Sequence, residues 1–186
     1  MEDKILYINA CMRPMSRTAE LAEHLLSCQD GKITEINLYK EKLLPIDYPE
    51  LQRRDKADCS DGDFALAKQF ADADIIVIGA PFWDFSFPSV IKVYFENIAV
   101  PGIIFEYSDE GCPIGKCKAK KLYYVATAGG YIEDNNYGFD YVKALAEVFY
   151  GIKDVSFYSA EGLDIYGADV EAIMKDAKAK ISKQFK

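Results

Sequence analysis

Short unbroken runs of apolar residues divide the chain at regular intervals. Lys4-Ile5-Leu6-Tyr7-Ile8, Asp74 to Ala80 and Lys121 to Ala128 are rich in β-branched, leucine and aromatic residues. Runs of this kind predict strands buried on both faces. Val155 to Ala160 predicts another, and Ile33, Ile36 and Leu38 mark a further strand. Between them the apolar spacing becomes helical. Ser16 opens a helix over roughly Arg17 to Cys28, with Leu21, Leu25 and Leu26 on its apolar side. Further helices are predicted from Asp63 to Ala73, from Val90 to Ala99 with Pro88 at the start, from about Asp140 to Tyr150, and from about Ala168 to Phe185. Ile103 to Tyr107, followed by Asp109-Glu110-Gly111, predicts a short hairpin, whereas Lys40 to Gly62 reads as a long surface excursion.

Strands alternating with helices predict an α/β three-layer sandwich around a five-stranded parallel sheet. Unusual residues follow the first, third and fourth strands, which suits the strand order 2-1-3-4-5. In that order these loops share the carboxyl edge of the sheet, where ligands bind. No internal repeat or flexible linker is visible, so residues 1–186 are expected to form a single domain.

Composition narrows the function. The net charge is −8 and no polybasic run occurs, which argues against nucleic acid or anionic membrane as partners. No apolar run approaches the ~20 residues of a membrane span. Met1-Glu2-Asp3-Lys4 leads directly into a strand, so no secretory signal is expected and the cytoplasm is the expected location. Five cysteines, Cys11, Cys28, Cys59, Cys112 and Cys117, lack CxxC spacing. Cys112 and Cys117 have no accompanying second pair or histidine, so no metal site is expected. The only histidine, His24, is expected on the solvent side of the first helix, a poor place for a hydrolytic triad.

The candidate chemistry lies in three loops. Asn9 to Thr18 contains a good helix cap, Ser16, with Thr18 and the cations Arg13 and Arg17 nearby. Free amides and a positive dipole end at such a helix start suit a phosphate. Neither a P-loop nor a GxGxxG fingerprint is present. The second loop, Pro81-Phe82-Trp83-Asp84-Phe85, places three aromatics and a carboxylate directly after a buried strand, as a shelf for a flat ring would require. In the third, Thr127-Ala128-Gly129-Gly130-Tyr131, two glycines let the backbone approach a ligand. Taken singly, the three also suit a plain capped helix, a hydrophobic plug or dimer contact, and an ordinary tight turn. Together they describe a ligand with a phosphate at one end and planar rings at the other. Flavin mononucleotide (FMN) has that form.

With these residues in place, the chain resembles the FMN-dependent NAD(P)H:quinone oxidoreductases and NADH-azoreductases of the flavodoxin-like superfamily. The most specific segment is Pro81-Phe82-Trp83-Asp84-Phe85-Ser86-Phe87-Pro88-Ser89, against a family pattern of Pro, hydrophobe, Tyr or Trp, Asn, Phe. Similarity continues through Lys92, Tyr94 and Phe95, Gly102 to Tyr107, Gly129-Gly130, Gly151 to Val155 and Ala160-Glu161-Gly162. The resemblance implies a flavodoxin-like fold in which Ser16, Arg17 and Thr18 hold the FMN phosphate. Pro81, Phe82, Trp83, Asp84 and Phe85 would line the isoalloxazine, with Thr127, Ala128, Gly129, Gly130 and Tyr131 at its other edge. Ala10 stands where azoreductases often have serine, and Arg13 would compensate. Asp84 stands where asparagine is usual and, as a pure acceptor, is expected to lower the flavin potential relative to Asp84→Asn. Ala128 replaces a residue that is often polar or arginine.

The resemblance further implies that two electrons pass as hydride from NADH or NADPH through FMN to a quinone- or azo-type acceptor. No residue is assigned a strictly catalytic role; Trp83 and Tyr131 would shape the nicotinamide and acceptor pocket. A homodimer is implied, with Pro88 to Ala99 and Ile103 to Tyr107 as contact surface. Two other classes share the fold: an FMN electron carrier without pyridine-nucleotide activity, and a partner protein that binds no flavin. The phosphate loop of short carriers is rich in Thr and Ser, whereas this one carries two arginines.

Overall fold

The computed structural model describes residues 2–54, 56 and 64–185. Its main sheet contains β1 (Lys4–Asn9), β2 (Lys32–Asn37), β3 (Ile75–Gly79), β6 (Lys121–Thr127) and β7 (Asp154–Ala160). The spatial order is β2-β1-β3-β6-β7 and every pair is parallel. Counting only these five strands, the order is 2-1-3-4-5, that of the flavodoxin-like fold.

Alternation along each strand sends neighbouring side chains to opposite faces of the sheet. Ile5, Tyr7, Val77, Tyr123 and Val125 pack with α1 (Arg17–Ser27) and α6 (Val170–Gln184) through Leu21, Leu25, Met174 and Ile181. Leu6, Ile8, Ile76, Ile78, Leu122 and Tyr124 pack on the other face with α3 (Ala65–Asp72), α4 (Ser89–Ile98) and α5 (Tyr137–Leu145). The central strands are apolar throughout because both faces are covered. Edge strand β2, with sequence KITEIN, is largely exposed and charged, which discourages pairing with another sheet.

Several boundaries differ from expectation for identifiable reasons. The stretch from Lys40 contains a helix, α2 (Tyr48–Arg54), which buries none of its residues and so shows no apolar periodicity. It is held by charge: the Nε atoms of Arg53 and Arg54 each donate to Glu50 at 2.8 Å. Those bonds pull the Glu50 carboxyl down to about 2. The expected α3 start, Asp63, the end of the excursion at Gly62, and Cys59 lie outside the described residues. Pro88 stands at the start of α4 as its N-cap, as expected, and the helix, Ser89–Ile98, lies one residue earlier at each end than the expected Val90 to Ala99. Helix α5 begins earlier than predicted, because the side chain of Asn136 caps the Phe139 amide at 3.0 Å. It then widens into a π-helical turn, Ala146–Tyr150, that ends at the left-handed Gly151.

The hairpin consists of β4 (Phe105–Tyr107) and β5 (Pro113–Gly115), paired antiparallel. It docks on the π-helical turn where Gly115 meets Gly151: a Cβ on Gly115 would lie 2.2 Å from the Gly151 nitrogen. Gly115→Ala is therefore expected to destabilise the fold by about 1–3 kcal/mol, measured by urea denaturation, since backbone on both sides prevents relief.

Candidate functional site

The carboxyl edge of the sheet is held by a series of amide bonds. Ala10 N–H donates to the Gly79 carbonyl at 2.9 Å, and Ala80 N–H to Val125 at 2.9 Å. Phe82 N–H donates to Thr127 at 3.0 Å, and Ala128 N–H to Ala160 at 3.0 Å. Each loop thus leaves its strand still bonded to the next. The loop after β1 is further fixed by Asn9, whose Oδ1 accepts from the Cys11 amide at 2.9 Å while its Nδ2 donates to Glu35 at 2.8 Å.

A cavity of about 340 Å³ opens between these loops. It is lined by nine of the residues singled out in the sequence: Ser16, Arg17, Thr18, Pro81, Phe82, Trp83, Thr127, Ala128 and Gly129. Arg13 lines it as well. At one end the Ser16 hydroxyl accepts from the Ala19 amide at 3.2 Å, capping α1. This leaves the first N–H groups of the helix, those of Arg17 and Thr18, to point toward a ligand. The Thr18 and Thr127 hydroxyls meet at 2.6 Å and tie the helix start to the end of β6.

The other predicted residues border the cavity without lining it. Ala10 is fully buried behind it. Trp83 and Ser86 exchange two backbone hydrogen bonds, of 2.9 and 2.7 Å, across the tight turn formed by Asp84 and Phe85. Both turn residues have positive φ, 50° and 64°. This is the pattern of a type I′ hairpin turn. Their side chains are exposed, and the Phe85 carbonyl accepts from the Tyr137 amide at 3.0 Å. Gly130 and Tyr131 continue past the cavity, where the Tyr131 ring lies against Gly162.

Four lining residues were not anticipated: Met12, Met15, Leu163 and Asp164. The last two come from the loop after β7, which is bonded to the loop after β6. Gly162, Leu163 and Asp164 donate N–H bonds to Gly130, Ala128 and Gly129. Asp164 lies directly over Gly129, where a Cβ would sit 2.5 Å from its carboxylate, and it accepts from Arg17 at 3.1 Å. The signal in the sequence was the pair of small turns, Gly129-Gly130 and Glu161-Gly162, whose mutual contact no spacing rule reveals. His24 also differs from expectation: it is half-buried, with Nε2 2.9 Å from the Ser182 hydroxyl on α6, remote from the cavity.

Among the described residues no group of three or more His, Cys, Asp or Glu side chains is placed to hold a metal, and no helix is long and apolar enough to cross a membrane. Cys11, Cys28, Cys112 and Cys117 are free thiols. Burial pushes the Cys11 thiol up to about 11 and Cys117 up to about 12.

Residues 3–185 match the family model described as flavodoxin-like fold. The FMN-dependent NADH:quinone oxidoreductase of Clostridium beijerinckii is 35% identical over 193 residues, covering 96% of each chain. That of Coprothermobacter proteolyticus is 34% identical over 201 residues, covering 98% of this chain and 99% of the relative. Among solved structures, azoreductase from Bacillus anthracis str. Sterne has a TM-score of 0.85 at 23% identity, with 98% of both chains covered. The FMN-dependent NADH-azoreductase from Bacillus anthracis str. Ames Ancestor in complex with FMN has a TM-score of 0.81 at 23% identity, covering 98% of this chain and 97% of that one. These two structures share the fold.

Two outcomes are expected from this geometry. Phe85→Gly removes a left-handed phenylalanine, whose strain of about 1–2 kcal/mol exceeds glycine's entropic cost, so urea unfolding should show a gain of about 0.5–1 kcal/mol. At pH 8 a thiol reagent should modify exposed Cys112 rapidly while Cys11 and Cys117 stay protected until the protein unfolds. Because the folded thiols are raised above the unfolded value, the stability that they contribute is complete below about pH 9. It is lost as pH climbs toward 11 and 12, so the urea midpoint should fall between pH 8 and pH 10.5.

Proposed function

Because the chain belongs to the flavodoxin-like family of FMN-dependent NADH:quinone oxidoreductases and azoreductases, we propose that it binds FMN in the cavity at the sheet edge. There it would carry electrons from NADH to quinone- or azo-type acceptors. The observation that carries this reading is the union, in one cavity, of a capped helix start, with Arg17 on it and Arg13 in the loop before it, and a wall of Phe82 and Trp83. An anion at one end and a planar ring at the other satisfy both.

The residues fit the group. The Arg17 and Thr18 amides, with the Arg13 and Arg17 guanidiniums, would hold the phosphate. Ser16 contributes mainly as the cap that keeps those amides in place, since its hydroxyl is already engaged. Pro81, Phe82 and Trp83 would support one side of the ring system. Thr127, Ala128 and Gly129 would approach its edge, with Asp84, Phe85, Gly130 and Tyr131 around the rim and Ala10 beneath. Bound FMN supplies the redox chemistry. The chain's part is to grip the phosphate, fix the plane of the ring and keep one face open to a flat substrate. The described residues that line the cavity include no histidine, cysteine or lysine, which suits a protein whose cofactor does the chemistry.

The reading extends to a cytoplasmic homodimer in which residues 1–186 serve as one FMN-binding domain. The free thiols suit a reducing compartment. Exposed Trp83, Phe85 and Tyr131, on the loops after β3 and β6, would serve as contact surface for a second copy.

Trp83 is the only tryptophan and lines the cavity, so its emission reports directly on occupancy. Added FMN should quench Trp83 fluorescence saturably, and anaerobic NADH should then bleach the flavin band. Arg17→Ala should weaken FMN binding about tenfold through loss of a charge-assisted contact. A protein that takes up no FMN would overturn the reading, and one that takes it up without bleaching would be an electron carrier.

A further inference from the structure

Charge around the cavity is distributed unevenly. Of the four loops that frame it, only the first carries cations, Arg13 in the loop itself and Arg17 at the start of α1. The loop after β3, residues 81–88, holds one charge, Asp84. The loop after β6, residues 128–136, holds Glu133 and Asp134 and no Lys, Arg or His. The loop after β7, residues 161–169, holds Glu161, Asp164 and Asp169, again with no cation. The cavity's own cations are therefore Arg13 and Arg17, and the loops after β3, β6 and β7, among the described residues, bring carboxylates and no cation to this edge of the sheet.

These carboxylates differ in how far they are compensated. Asp164 pairs with Arg17 at 3.1 Å, and Asp169 caps α6 by accepting from the Ala172 amide at 3.0 Å. Glu161 accepts from the Ile132 amide at 2.9 Å and the Ser159 hydroxyl at 2.6 Å. Those bonds fasten the loop that carries Glu133 and Asp134 beside it, but they bring no positive charge. Asp84, Glu133 and Asp134 are exposed and, among the described residues, take part in no ion pair.

Resting on the reading of the cavity as an FMN site, we infer that this acidic border selects the acceptor by charge. The site takes neutral or cationic planar acceptors, such as unsubstituted quinones, and rejects sulfonated ones, quinones and azo compounds alike. Each unpaired carboxylate about 10 Å away in water changes the local concentration of a singly charged ligand about twofold at low salt. Asp84, Glu133, Asp134 and Glu161 act together, and physiological salt screens most of the effect. The discrimination is therefore a low-salt property that fades predictably. NADH, itself an anion, meets the same border, and its capture should improve as salt rises.

Two measurements test this. With the protein as purified, Trp83 emission is quenched by caesium, iodide and acrylamide, each normalised to free tryptophan. Caesium should quench at least threefold more effectively than iodide at low salt, and E133Q/D134N should bring the ratio toward one. Iodide quenching as strong as caesium, or an unchanged ratio in the double variant, overturns the inference. Neither result depends on FMN. With FMN-loaded protein, kcat/KM for a naphthoquinone should exceed that for its sulfonate at least fivefold at low salt. Rising salt should increase only the sulfonate value. A sulfonate reduced equally well, or one slowed by salt, also overturns the charge selection. Failure of NADH to bleach the loaded protein overturns the functional reading instead, and leaves the quenching result to decide the border's charge.

Discussion

The bonds Ala10 to Gly79, Ala80 to Val125, Phe82 to Thr127 and Ala128 to Ala160 carry the sheet's pairing past its strand ends. A parallel sheet leaves its carboxyl edge as a row of amides and carbonyls that must find partners. Here each loop satisfies that demand against the neighbouring strand before it turns away. The loops are consequently fixed relative to one another chiefly by backbone, with the Thr18–Thr127 and Arg17–Asp164 contacts added. The side chains that face the cavity, Thr18, Phe82, Trp83, Thr127 and Ala128, are placed first by the register of β1, β3, β6 and β7, and the Thr18–Thr127 hydroxyl contact then adds a cross-tie. Burial of the sheet on both faces sets that register, because a slip by one residue would exchange the two core faces.

That dependence explains what was legible in the chain. The central strands, the order of the sheet and three of the four loops could be read because double-sided burial demands continuous apolar runs, and unusual residues stand out where those runs end. Helix α2 could not be read, since Glu50, Arg53 and Arg54 hold it through charge and it buries nothing. The start of α5 was obscured because Asn135-Asn136-Tyr137-Gly138 has the composition of a turn, although Asn136 uses its side chain as a helix cap. Leu163 and Asp164 were missed because their place depends on the contact of two glycine turns 32 residues apart, Gly130 with Gly162, which only the folded pairing of β6 and β7 brings together.

Glycine and aspartate at the cavity are linked in a similar way. A Cβ on Gly129 would displace the Asp164 side chain that lies on it, and Asp164 in turn holds Arg17 across the opening. The ion pair is exposed and contributes little stability. Its effect is on direction: it turns one guanidinium toward the loop after β7, while Arg13 lines the cavity from the first loop. A negative ligand at the helix start would compete with Asp164 for Arg17.

The turn at Asp84 and Phe85 changes the meaning of the departure noted at that position. Where the family pattern has asparagine, the backbone here is left-handed. Asn and Asp are the non-glycine residues that adopt this region most readily. The preference for an amide there thus has a backbone cause, independent of any hydrogen bond to a ring. Asp84 satisfies the same backbone while adding a negative charge, so the turn survives and the electrostatics alter. Phe85, which has no such tolerance, is held in place from outside by the Tyr137 amide. Gly138 adds to this hold by packing so closely on Ser86 that its Cβ would lie 3.2 Å from the Ser86 carbonyl carbon. The position of Trp83 therefore depends on the first turn of α5, which couples the aromatic wall of the cavity to a helix that does not itself line it.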